Sequence, residues 1–219
     1  MAKQKVSGVK YLANGVMDGE PGSGRRVLRN KAGITRVRDM EDAELKAYLN
    51  AEQALIRKYT KDHRFTAADI HAINKLFLGD IYDWAGKTRS VNLSKGDFPF
   101  ASVLAISHMM HDLEENILNV HTPCKPGKPE DVAFAIAIVH VELLLIHPHR
   151  EGNGRTARLL ATLMAYQAGL PGLDFGFIGS RGKAFKAYVA AIQAGLDKNY
   201  ERMRAIVLKA IKRALRRHA

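Results

Sequence analysis

AFAIAIVHVELLLIHPHREGNGRTAR, residues 133–158, passes from an almost unbroken apolar run through a His/Pro/Glu/Gly loop into a second helical pattern. Pro129 opens the apolar stretch, since proline at the first helical position loses no needed hydrogen bond. Pro148 ends it, because proline disfavours helical geometry in the residue before it. Val132 to Ile146 is short for a membrane span and contains His140 and Glu142, so it reads as a helix buried in a protein core. RTARLLATLMAYQAG, from Arg155, makes the next helix, closed by Gly169.

Helical spacing extends in both directions from this pair. From Glu41, Leu45, Tyr48, Leu49, Leu55, Ile56 and Tyr59 predict one helix. Thr66, with Asp69 three residues on, predicts the cap of a second, with Ile70, Ile73, Phe77, Ile81 and Trp84 on one face. Val103 to Ile117 predicts a third. Phe185, Tyr188 and Ile192, then Tyr200, Met203, Val207 and Ile211, predict two more. One segment departs from this pattern. In RSVNLSKGDFPFA, residues 89–101, Val91 and Leu93 alternate with polar residues, Lys95-Gly96-Asp97 can turn, and Phe98 and Phe100 alternate again. This predicts an isolated two-stranded hairpin with Pro99 on an edge strand and one edge free to pair with another extended chain.

The chain has 219 residues, 47% of them hydrophobic, enough for one domain with a substantial core. Its net charge of +12 sits at the ends: residues 1–38 carry +7 and residues 198–219 carry +7, against −2 for everything between. Basic ends can meet nucleic acid, an acidic protein or an anionic surface, or simply solvate the protein. Cys124 is the only cysteine, which excludes an internal disulfide and suits a reducing compartment such as the cytoplasm. The N-terminus has no apolar signal core, and no membrane partner is expected. The expected organisation is a basic irregular arm over 1–38, a domain over 39–205 and a basic helical extension over 206–219.

The residues of the loop suggest chemistry on phosphate. Gly152-Asn153-Gly154 leads into a helix whose unpaired amides and positive dipole end favour an anion. Arg155 and Arg158, at i and i+3, leave its first turn side by side and can both reach a polyphosphate. Glu151 beside bound phosphates is explained by a magnesium ion, which takes one or two carboxylates, waters and substrate phosphates. His147 can take a proton from an incoming hydroxyl. Together these are the parts of a phosphoryl or nucleotidyl transfer site. A rival, metal binding by His140, His147 and His149, lacks the spacing of a ligand set.

HPHREGNGRTAR closely resembles the Fic family signature, His-Pro-Phe-x-(Asp/Glu)-Gly-Asn-(Gly/Lys)-Arg-x-x-Arg, departing only at His149, where most members have Phe. RNKAGIT, GDIYDWAGKTRSVNLSKGDFPFA and YVAAIQAGLDKNY look like the family's flanking segments, so the likeness covers about residues 28–205. The resemblance implies an all-α Fic fold with a small β-hairpin flap, and transfer of AMP from ATP to a Ser, Thr or Tyr hydroxyl of a target protein. It makes His147 the base, Glu151 the holder of Mg2+, Gly152, Asn153, Gly154 and Arg155 the phosphate cradle, and Arg158 the grip on the terminal phosphate. Lys95, Gly96, Asp97 and Phe98 become the target-docking flap. Gly154, where the related Doc kinases have Lys, points to AMP rather than phosphate transfer.

The resemblance also implies a regulator. No match to the family's inhibitory (Ser/Thr)-x-x-x-Glu-(Gly/Asn) motif exists in the chain, Thr35 to Asp39 being nearest. A small antitoxin that supplies the glutamate beside Arg158 is therefore the expected partner of a toxin-like enzyme. Related toxins suggest a DNA topoisomerase subunit as target, which the basic ends would suit, and secretion into a host is a further alternative to the cytoplasm. A Doc-like kinase or other nucleotidyl transferase, and a Fic scaffold that has lost catalysis and acts as a binding module, are the competing readings.

Overall fold

The structure is a computed structural model, and it describes residues 12–13, 19–95, 97–179 and 181–218. The elements run β1 (Leu12–Ala13), α1 (Val37–Lys58), α2 (Ala67–Leu78), β2 (Leu93–Lys95), β3 (Phe98–Pro99), α3 (Ile106–Leu113), a π turn over Glu114–Leu118 into α4 (Asn119–His121), α5 (Pro129–Ile146), α6 (Asn153–Gln167), α7 (Gly182–Gln193) and α8 (Glu201–His218). It is a helical bundle with a small β-hairpin, as the sequence predicts.

α5 is the axis of the bundle. Its side chains are apolar on nearly every face, and it packs against α3, α6, α7 and α8. A helix buried all round cannot face water, so its neighbours must enclose it. Pro129 occupies its first turn together with Glu130 and Asp131, whose charges complement the positive helix end. Of the polar residues in α5, His140 is buried and satisfied: its Nε2 meets the Tyr188 hydroxyl at 2.6 Å and its Nδ1 the Ala157 carbonyl at 3.2 Å. Among the described residues no helix is long and apolar enough to cross a membrane.

α2 starts in a complete capping box between Thr66 and Asp69. Asp69 also takes hydrogen bonds from Tyr59 Oη and pairs with His63 Nε2, both at 2.9 Å, which ties the end of α1 to the start of α2. α6 ends near Gly169, whose φ of +77° suits a residue just beyond a helix.

Three readings change. α1 begins at Val37 rather than Glu41, and its inward face is Met40, Glu44, Ala51 and Leu55, leaving Leu45 and Leu49 exposed. Counting hydrophobic residues misplaced that face because a carboxylate, Glu44, points inward. The hairpin is not isolated: Leu12–Ala13 pairs antiparallel with β2, giving the order β1-β2-β3. Pro99, which has no N–H to donate, does lie on an edge strand. Finally, α8 runs without a break past residue 206, with Val207, Ala210, Ile211 and Ala214 buried, so the basic end belongs to the bundle.

Because Thr66 and Asp69 hold the junction of α1 and α2, Thr66→Ala lowers stability by about 1 kcal/mol. A urea midpoint that drops while the slope stays constant is the expected readout.

Candidate active site

His147 follows the last residue of α5 in the left-handed conformation, φ 54° and ψ 57°. That turn swings the chain out of the helix axis and into the loop. Nδ1 lies 3.1 Å from the Leu144 carbonyl, which fixes the proton on Nδ1 and leaves the basic lone pair on Nε2. The ring is 4% exposed and stacks on Phe100 with centroids 3.7 Å apart. Burial pushes its pKa down to about 3, with the positive charges of Arg89 and Lys95 adding to the effect against the Leu144 bond. The imidazole is therefore neutral and able to accept a proton across the physiological range. The residue that follows β3, Phe100, covers the ring.

Arg89 organises this corner. It is 3% exposed, and its guanidinium donates to the carbonyls of His147 and Val91 at 2.8 and 2.7 Å, to Ala101 O, and to Ile146 O at 3.4 Å. Its backbone N–H donates to Pro148 O at 2.9 Å. The terminal carbonyls of α5 would otherwise lack partners, and a cation at a helix C-terminus is favoured by the dipole. One side chain thus joins the end of α5 to both flanks of the flap.

Beyond Pro148 the loop is closed by its own side chains. Asn153 Oδ1 accepts from His149 N at 2.8 Å and Asn153 Nδ2 donates to His149 O at 2.7 Å, so this amide staples the loop. Gly152 has φ +80°, and a Cβ there would lie 2.7 Å from Leu78 Cδ1, so only glycine fits. The first-turn N–H groups at 153–155 have no carbonyl inside the helix to donate to, the arrangement that suits an anion. A Cβ added at Gly154 would meet nothing nearer than the Arg158 guanidinium at 3.7 Å.

Of the two arginines, Arg155 is held by carboxylates: Nη1 lies 2.6 Å from Glu44 Oε2 and Nη2 3.4 Å from Glu151 Oε1. Glu44, on α1, also accepts from Tyr82 Oη at 2.8 Å. Glu151 Oε1 takes a further bond from Gly152 N at 2.8 Å. Both recorded contacts fall on one oxygen, so the other suits a hard cation that also keeps waters and substrate phosphates. Arg158 folds over the first turn, Nε to Gly154 O at 3.1 Å, and pairs with no carboxylate among the described residues. Lys95 pairs in register with Phe98 across the flap and lies over the Phe185 ring; Asp97 is exposed and Gly96 lies outside the described residues. His140, His147 and His149 do not converge, and among the described residues no group of three His, Cys, Asp or Glu could hold a metal.

Residues 64–165 match the Fic/DOC family model, a span that holds α2, the flap, α5 and the whole anion loop. Over that span the chain is similar to the Fic/DOC family. It is similar to the probable protein adenylyltransferase Fic of Salmonella typhimurium, 28% identical over 87% of this chain and 90% of that protein. It is also similar to the probable protein adenylyltransferase y4lH of Sinorhizobium fredii, 28% identical over 67% of this chain and 74% of that one. Its fold matches BepC of Bartonella tribocorum, solved with bound AMPPNP, with a TM-score of 0.66 at 22% identity over 84% of this chain and 91% of that chain. The likeness to these adenylyltransferases supports an enzyme of the nucleotidyltransferase class.

In this Fic domain the signature was legible in sequence, whereas Arg89, Glu44 and Phe100 as partners of the signature were not. Each acts across a long stretch of chain.

Two outcomes follow from these contacts. Arg89→Met leaves several carbonyls without a donor and destabilises the fold by about 3 kcal/mol, read as a lower thermal midpoint. His140 is pushed down to about 4 and both His147 and His149 to about 3, chiefly by burial. The unfolded chain takes up these protons below about pH 6.5 while the folded one refuses them, so stability falls as pH drops from about 6.5 toward 4. Urea midpoints measured across that window should decline steadily with acidification.

Proposed function

We propose that this chain is a protein adenylyltransferase that moves AMP from ATP to the hydroxyl of a Ser, Thr or Tyr on a target protein. The observation that carries the reading is the imidazole of His147, held with Nδ1–H on the Leu144 carbonyl and neutral, at one end of a loop whose other end is the amide-rich start of α6. Nε2 takes the proton of the target hydroxyl as its oxygen attacks the α-phosphorus of ATP. The bond from that phosphorus to the bridging oxygen breaks, and pyrophosphate leaves. The first-turn amides of α6 and Arg158 receive the phosphates. Arg155, with both ends on carboxylates, contributes charge at the loop and keeps Glu151 in place. Mg2+, held by Glu151, supplies neutralisation of the phosphate charge. The outer strand of the flap, at Phe98–Pro99, is the edge on which a target's extended chain can lie.

The adenylyltransferase relatives and the glycine at 154 support AMP over whole phosphate as the transferred group. An antitoxin-like partner is part of the same proposal, supported by the absence of any carboxylate on Arg158 among the described residues. The partner would bring an acidic side chain there and block the terminal phosphate.

Incubating the purified chain with labelled ATP and Mg2+ in a bacterial lysate should label a protein, and mass spectrometry of that protein should show an AMP adduct. His147→Ala should lower the rate by ~10²–10⁴-fold. A bare phosphate adduct would replace this reading by the kinase one, and labelling that is unchanged in His147→Ala would remove His147 as the base.

A further inference from the structure

His149 stands where the resemblance leads one to expect a phenylalanine, and it is 1% exposed. Its Nε2 lies 3.0 Å from Nδ1 of His71 on α2, with the two rings edge to face. Its Nδ1 is buried with no partner among the described residues. The ring's hydrogen bond to His71 reaches a residue 78 positions earlier in the chain, and the Asn153 side chain lies beside the ring.

The tautomer follows from the orphaned nitrogen. A proton on Nδ1 of His149 would bury an unpaired N–H donor, whereas a proton on Nε2 donates to His71 Nδ1 and leaves only a lone pair unsatisfied. His71, half-buried, then carries its own proton on Nε2.

α2 braces the loop a second time. Asn74, one turn after His71, donates from Nδ2 to the Glu151 carbonyl at 3.2 Å and to Thr156 Oγ1 at 3.1 Å, while its Oδ1 accepts from Gly86 N at 2.8 Å. His71 and Asn74 thus hold the two ends of the segment 149–151 from one helix face. The main chain of His149 is meanwhile closed on Asn153. A shift of the His149 ring moves Asn153, and with it the first turn of α6.

We propose that His71 is a positioning residue for nucleotide transfer: through its hydrogen bond to His149 it sets the place of the 149–153 loop, and so the aim of Glu151 and of the α6 amides at the phosphates. The inference rests on the adenylyltransferase reading. His71 acts through His149 and needs no contact with ATP.

The test uses the full chain. In wild type carrying 15N-labelled histidine, NMR should show His149 protonated on Nε2 and coupled to Nδ1 of His71; a His149 protonated on Nδ1 overturns the proposal. His71→Leu should weaken ATP binding in the presence of Mg2+, measured by calorimetry, and lower kcat for transfer, each by roughly 10-fold, the scale of a lost outer-sphere support. A general loss of folded protein would lower the calorimetric stoichiometry and leave the affinity of the remaining molecules unchanged, so the weakened affinity separates positioning from unfolding. Adding His149→Phe to His71→Leu replaces the polar pair by an apolar one and should recover most of the ATP affinity. Single-variant affinity equal to wild type, or a double variant no better than the single, overturns the proposal. Wild type that binds ATP but transfers no AMP would instead overturn the adenylyltransferase reading, while the affinity comparison still decides the role of His71.

Discussion

The buried guanidinium of Arg89 is the constraint on which the rest of this molecule depends. A helix as apolar as α5 can run through a core because its backbone is satisfied internally, but its last carbonyls are not. Leaving a helix in the left-handed conformation, as His147 does, costs energy that neighbouring contacts must offset. Arg89 supplies those contacts from a single side chain that remains charged when buried, its desolvation offset by several carbonyl oxygens rather than by one acid. The same bonds hold the flap against the end of α5, so base and flap form one unit.

A second unit stands behind the loop. α1 gives Glu44 and α2 gives His71 and Asn74, and these reach Arg155, His149 and Glu151 respectively through the main chain or side chain. Around Arg155 two carboxylates surround one guanidinium, so the loop is not a simple basic pocket. In the proposed function its attraction for phosphate comes from oriented amides and from Arg158, with Arg155 serving to keep two acids close without repulsion between them. This also accounts for Glu44, an acid that would be costly in a core without Arg155 and Tyr82.

Sequence made the local features legible and missed the distant ones. The proline-bounded α5, the capping box at Thr66, the glycine after α6 and the hairpin at 93–99 each announce themselves within a few residues, through periodicity or a terminal signal. The loop residues were legible as a set because their spacing is dictated by one helix start. Their supports were not. Arg89 looks like a surface arginine before a strand, His71 like an ordinary helix residue, and Glu44 like one acid among several in MEDAEL; what distinguishes them is a partner 58, 78 or 111 positions away. The stack of Phe100 on His147 was hidden for the same reason, and Leu12–Ala13 joins β2 through backbone bonds that leave no mark on side-chain pattern.

That stack bears on timing. Under the adenylyltransferase proposal, a nucleotide would settle on α6 while the proton acceptor is still roofed by an aromatic ring, its nitrogen buried away from solvent. Only an entrant that peels Phe100 aside, such as a polypeptide gripping the flap, would uncover the nitrogen and present its own oxygen in the same movement. Futile cleavage of ATP is thereby disfavoured by the architecture itself, and the enzyme spends its donor when an acceptor has already arrived.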